Sequence, residues 1–131
     1  DNDTSLYQVF ERINTGGRAL MPQEIRNCVN QGAFNDLLFE LNTKENWRIL
    51  FGKEDEDSRM RDLEFILRFL ALDTEYVRSN QSSAISLKKY LNEFMGSENS
   101  QIGSVINGRR DKFNSVIDFI TNILEKMLFI I

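Results

Sequence analysis

Apolar residues recur at steps of three and four along nearly the whole chain, while strict alternation is scarce, so the pattern predicts helices and almost no strand. Leu6, Val9, Phe10 and Ile13 form one stripe at helical spacing, with Asp3 or Thr4 as N-cap and Asn14 to Gly17 as the stop. Pro22 opens a second helix, where its missing N–H costs little; Ile25, Cys28 and Val29 form the inner face and Gly32 the end. Phe34, Leu37, Leu38 and Leu41 predict a third helix, and Trp47, Leu50 and Phe51 a short amphipathic turn ending at Gly52. Lys53 to Ser58 reads as a solvated charged loop; its carboxylates lack the spacing and the Gly of an EF-hand.

Arg59 to Leu72 predicts a buried helix carrying Met60, Leu63, Ile66, Leu67 and Leu70, with Phe65 and Phe69 widening its apolar face. Tyr76 to Ser83 reads as a polar connection. Ser86 to Met95 predicts a further helix with Leu87, Tyr90, Leu91 and Phe94 inward. In the last helix Ile102, Ile106, Arg109, Phe113, Val116, Ile120, Ile123 and Met127 follow the same steps, and Arg109 breaks the apolar register. That helix has two admissible starts, near Glu98 or near Arg109. The expected fold is all-α: an irregular bundle of about six to seven helices with a long C-terminal helix, in one domain over residues 1–131.

Composition narrows the function classes. Hydrophobic content of 41% with 27% charged residues suits an ordinary globular domain. The single Cys28 rules out an internal disulfide and reads as a small buried residue of a cytoplasmic protein. No apolar run approaches the ~20 residues needed to span a bilayer, so no membrane partner is expected. A net charge of −4 argues against direct phosphate-backbone binding. With no His and no metal-ligand spacing, neither a metal site nor a catalytic residue is expected. The chain begins without Met in a helical pattern and ends in Met-Leu-Phe-Ile-Ile, which reads as a piece excised from a longer protein.

The strongest polar cluster is Val-Phe-Glu-Arg-Ile-Asn-Thr-Gly-Gly-Arg, Val9 to Arg18. At about 100° per residue, Arg12 and Asn14 lie at opposite borders of the face that carries Phe10. Thr15, Gly16 and Gly17 then supply a loop whose N–H groups are free and whose glycines tolerate close backbone approach. Arg18 adds a guanidinium fork. Together these suit a phosphate. The same residues also make an ordinary helix stop with a left-handed cap, in which Asn14 bonds its own backbone and Arg12 pairs with Glu11 or Glu24. Gln23, Glu24 and Arg26 read as exposed first-turn residues, and Trp47 and the Phe-rich helices as core.

The run from Val9 to Asn27, with Phe10 and Asn14 matching a Phe-x-x-x-Asn motif and Leu20 to Arg26 matching a Leu-Thr-Pro-Gln-Glu-Ile-Arg pattern, resembles the GmrS-type domain of GmrSD type IV restriction enzymes. Met21 stands where that family commonly has Thr. Arg59 to Phe69 and Leu87 to Met95 resemble the family's later helices. The family is described as ParB-like or sulfiredoxin-like, and its upstream Asp-Gly-Gln-Gln-Arg motif, associated with nucleotide hydrolysis, does not occur here. The resemblance implies the helical, C-terminal portion of an NTPase domain from a bacterial anti-phage protein, lacking cofactors of its own and catalytically silent alone. It implies Arg12, Asn14, Thr15, Gly16, Gly17 and Arg18 toward a nucleotide, with Phe10 anchoring their helix. The implied partners are an upstream α/β part of the same chain, an NTP with Mg²⁺, and DNA reached only through the parent. The alternative is a helical interaction module that associates with a partner or a second copy of itself.

Overall fold

A computed structural model describes residues 2–13, 19–80 and 86–130, with side chains over 5–12, 19–80 and 86–128. Asn14 to Arg18, the centre of the candidate loop, lie outside the described residues. The described residues form eight helices and no strand: α1 (Asn2–Ile13), α2 (Pro22–Val29), α3 (Ala33–Asn42), α4 (Glu45–Phe51), α5 (Arg61–Leu72), α6 (Glu75–Ser79), α7 (Leu87–Glu98) and α8 (Gly103–Ile130). The fold is all-α with a long last helix, as the periodicity predicts. The additional element is α6, five residues that overlap the start of the expected polar connection, begun by Thr74, whose Oγ1 accepts from Val77 N–H.

The core forms where α3, α5, α7 and the first half of α8 meet. Phe34, Leu37, Leu38 and Leu41 of α3 face Leu63, Ile66, Leu67 and Leu70 of α5, and Leu91, Phe94 and Met95 of α7 close one side. Ile106, Phe113 and Ile117 of α8 close another. Trp47 and Phe69 both meet Phe113 edge-on, at centroid distances of 5.8 and 5.5 Å. Truncating one of these buried leucines to Ala would cost about 2–5 kcal/mol.

α8 is continuous from Gly103, so neither expected start is used, and the break that Arg109 makes in the apolar register does not interrupt the helix. Its guanidinium donates through Nε and Nη2 to both oxygens of the buried Glu98 carboxylate, each at 3.1 Å. At 1.5 Å per residue the helix is about 42 Å long, and its outer half leaves the core. Phe119, Ile120, Ile123, Leu124, Met127 and Leu128 are all exposed there.

The loop before α5 is exposed at Lys53 to Glu56 and at Ser58, as expected, and departs from that reading at one residue. Asp57 is buried and accepts from Arg59 N–H, Arg61 N–H and the Arg61 and Lys53 side chains. The Arg61 hydrogen bond, foremost among these, holds its pKa well below the ordinary carboxylate range. Asp62 is buried beside it. Burial alone would raise its pKa, but bonds from Asp57 N–H, Arg48, Asn42 and Leu63 N–H outweigh that and leave it below the usual value. Arg48 Nη1 lies 2.7 Å from Asp62 Oδ2, and its remaining N–H groups reach the carbonyls of Asn42, Lys53 and Asp55. Phe65, expected to widen the inner face of α5, is exposed.

One cap is made across the fold. Asn99, in the turn between α7 and α8, accepts from the N–H groups of Phe34 and Asn35 at 2.9 and 3.1 Å and donates to Asn30 O. Gly32 permits this approach: a Cβ there would meet the Asn99 side chain at 2.7 Å, and its φ of 152° disfavours other residues.

Candidate functional site

The site is the corner where α1 ends, the chain turns, and α2 begins. α1 packs on α2 and α7, but not through the expected stripe. Among the described side chains of α1 Tyr7 is the buried one, whereas Leu6 and Val9 are 48% and 51% exposed and Phe10 is half-buried. The buried face is therefore turned by roughly a third of the helix circumference from the apolar one. Tyr7 and Glu11, one helical turn apart, face α7, and Leu6 and Val9 of the apolar stripe point outward. Arg12 is exposed at the end of α1, and the two carboxylates weighed as its partners are engaged elsewhere. Glu11 pairs with Lys88 at 2.5 Å and Glu24 with Arg59 at 3.3 Å.

α2 inverts the expectation more strongly. Cys28, expected inward, is exposed, and Gln23 and Arg26, expected outward, are both 1% exposed. Gln23, Arg26, Asn27 and Asn30 recur at i, i+3, i+4 and i+7, so the helix buries a polar stripe with the spacing of an apolar one. Arg26 is its hub. Nε donates to Asn92 Oδ1 of α7 at 2.7 Å, and Nη1 donates to Gln23 Oε1 at 2.9 Å and Glu64 Oε1 of α5 at 3.0 Å. Gln23 Nε2 donates to Asn27 Oδ1 at 2.6 Å, and Arg68 reaches the other Glu64 oxygen at 3.1 Å. A buried guanidinium is tolerated only with such partners. It fixes α2 against α5 and α7 at once.

The start of α2 is held separately. Met21 offers no capping side chain, and Glu24 supplies the reciprocal half of a capping box by accepting from Met21 N–H at 2.6 Å. Arg59 bonds the Ala19 carbonyl and Glu24, tying the residues just after the candidate loop to the start of α5. Arg59, Glu64, Asn92 and Lys88 are the corner residues the sequence reading missed. They come from distant segments, and no local pattern marks them. The period of Gln23, Arg26, Asn27 and Asn30 was readable, because a helix with so few apolar residues and four polar ones on one face has that face available for burial.

Phe10 and Arg12 thus stand on the last turns of α1, and the motif's downstream half is interior. Thr15, Gly16, Gly17, Arg18 and Asn14 fall in the segment outside the described residues. Among the described residues no group of three His, Cys, Asp or Glu side chains is arranged to hold a metal ion, and no helix is long and apolar enough to cross a membrane. In comparisons with known proteins, the chain matches no family model, no curated protein and no solved structure.

Proposed function

We propose that this chain is the helical portion of a GmrS-like nucleotide-binding and hydrolysing domain of a bacterial restriction protein, and that the end of α1 contributes Arg12, Asn14 and the loop to Arg18 to the nucleotide's phosphates. It is silent alone; the hydrolytic residues and the Mg²⁺ ligands come from an upstream α/β part. The observation that carries this reading is the Val9–Asn27 run itself, in which Phe10, Asn14 and the Gln-Glu-Ile-Arg-Asn stretch keep the family's order. Three features support it. The polar residues of that stretch brace the corner from inside, through Gln23, Arg26 and Asn27. Arg12 is left exposed at the helix end, where a permanently charged donor suits a phosphate. Leu6 and Val9 present an outward apolar face of the kind an adjoining α/β part would cover.

The test is nucleotide hydrolysis by the intact parent protein, wild type beside Asn14→Ala, with GTP and ATP in the presence of Mg²⁺. Loss of turnover in a still-folded variant supports the reading, and equal turnover in both refutes a role for Asn14. A second reading, a helical interaction module without a nucleotide role, is favoured by the outer half of α8, where Phe119, Met127 and Leu128 are 65%, 53% and 72% exposed. It predicts a concentration-dependent mass that Ile123→Glu abolishes, with Asn14→Ala without effect.

A further inference from the structure

α6, the short helix that the apolar pattern does not predict, holds a tyrosine in the open. Thr74 caps it, and the same hydroxyl lies 2.9 Å from the Tyr90 hydroxyl, which donates to Ala71 O at 2.7 Å. Tyr90 of α7 is therefore fixed at its far end. Tyr76 of α6 stacks on it, with ring centroids 5.4 Å apart and planes at 19°. Phe94, one helical turn after Tyr90, continues the run of rings at 6.0 Å. Tyr76 is 56% exposed, so its ring face away from Tyr90 stays open to solvent. A pinned but uncovered aromatic ring is preorganised for a ligand, because little side-chain freedom is left to lose on binding.

The three rings line a cleft of about 600 Å³ between α6, α7 and the start of α8, within the range of small-ligand sites, roughly 300–1,000 Å³. Its charged lining is Glu93, Glu98 and Arg109, two carboxylates against one guanidinium. Glu98 is buried, and Arg109 occupies both of its oxygens, so those two close as a neutral pair. Arg109 also lies over the Phe94 ring at 5.3 Å, so one cation already rests on this aromatic wall. Glu93 is left over. It is exposed and, among the described residues, meets only Lys89, at 3.9 Å, whose side chain is 69% exposed. A surface pair of that kind holds its ions weakly. The cleft thus joins aromatic faces, which attract cations, to a carboxylate without a close counter-ion. An anion would meet Glu93, and a neutral ligand would leave it unused; an organic cation engages both.

We propose that this cleft binds an organic cation of the alkylammonium class, with its charge over the open face of Tyr76 and beside Glu93, and its alkyl groups against the aromatic wall. This site goes beyond the nucleotide reading above. It uses no residue of the α1–α2 corner and stands or falls whether or not Asn14 touches a nucleotide.

The experiment is an NMR chemical-shift titration of this chain with choline, with the neutral carbon isostere of choline (a tert-butyl group in place of trimethylammonium), and with N-acetyl-trimethyllysine amide. Saturable shifts gathered at Tyr76, Tyr90 and Glu93 are expected for choline, with the neutral isostere about tenfold weaker, from loss of the cation–π attraction. Tyr76→Leu, which keeps an apolar side chain on an exposed position, should weaken choline by a similar factor. Glu93→Gln should weaken it several-fold and remove most of its salt dependence. Tighter binding of choline than of the lysine derivative assigns the source to a free small molecule, and the reverse order to a side chain of a partner protein; either order supports the site. Absence of saturable shifts, equal binding of the neutral isostere, or binding indifferent to both Tyr76→Leu and Glu93→Gln in folded variants overturns the inference. Asn14→Ala, which leaves the cleft intact, should bind choline like the wild type, so that failure here is distinct from failure of the nucleotide reading.

Discussion

Arg26 and Arg48 are both buried arginines that face a carboxylate, and they differ in how completely their surroundings are satisfied. Around Arg48 the account closes: Asp62, Asp57, Asn42 and the Trp47 indole N–H all have partners, and none of their buried polar atoms is left over. Around Arg26 it does not. The Tyr7 hydroxyl, Asn27 Nδ2, Asn30 Oδ1 and Arg68 Nε are buried without partners among the described residues. The Arg48 centre is also local, joining residues within 20 positions, whereas Arg26 joins α2 to residues 38 and 66 positions away. A complete polar cluster that closes a loop serves the fold.

The sharpest way to break this contrast is Asp62→Ala. It strands the Arg48 guanidinium in the interior and is expected to cost about 3–5 kcal/mol, read by urea denaturation; a loss below 1 kcal/mol would mean the centre is dispensable. Arg26→Met should cost less, about 1–3 kcal/mol, because Glu64 retains Arg68 and is 20% exposed. A larger loss than that of Asp62→Ala would erase the distinction.

The same contrast has a pH signature. Asp57 and Asp62 are held below their ordinary values, so their stabilisation is fully present above the unfolded carboxylate pKa of about 3.9 and is lost as pH falls below it, through the lower folded values. The urea midpoint should therefore drop between pH 5 and pH 2, and Asp57→Asn should flatten that drop; an equal slope in the variant would remove Asp57 from the account. The smallest expected effect is that of Asn99→Ala, about 1 kcal/mol for a lost helix cap, with the change in amide exchange confined to the first turn of α3.

Much of the fold was legible because its core helices keep an apolar stripe. Phe34, Leu37, Leu38 and Leu41 in α3, and Leu63, Ile66, Leu67 and Leu70 in α5, are buried as their period predicts. Pro22 and Gly52 stand where a helix start and a helix end were expected, and Gly52 ends its helix in the left-handed conformation. The candidate corner was harder to read because its burial is polar. A period argument that counts only apolar residues turns α1 the wrong way, putting Leu6 inside and missing Tyr7, and it sends Gln23 and Arg26 to the surface. Asp57 and Arg59 were hidden for another reason: a charged run looks solvated, although Lys53 and Arg61 lie within four residues of Asp57 and enclose it, and the Ala19 carbonyl that Arg59 reaches is brought near only by tertiary structure.

The cap that Asn99 places on α3 has a consequence for the order of assembly. The first turn of α3 is completed by a residue 65 positions later in the chain, so local propensity cannot finish that helix. Closing so long a loop is slow relative to helix formation. Leu37 to Leu41 can be helical and packed on α5 early, while Phe34 and Asn35 keep fraying until the turn between α7 and α8 arrives. That turn is then expected to dock late, so that the amides of Phe34 and Asn35 gain exchange protection after those of Leu37 to Leu41.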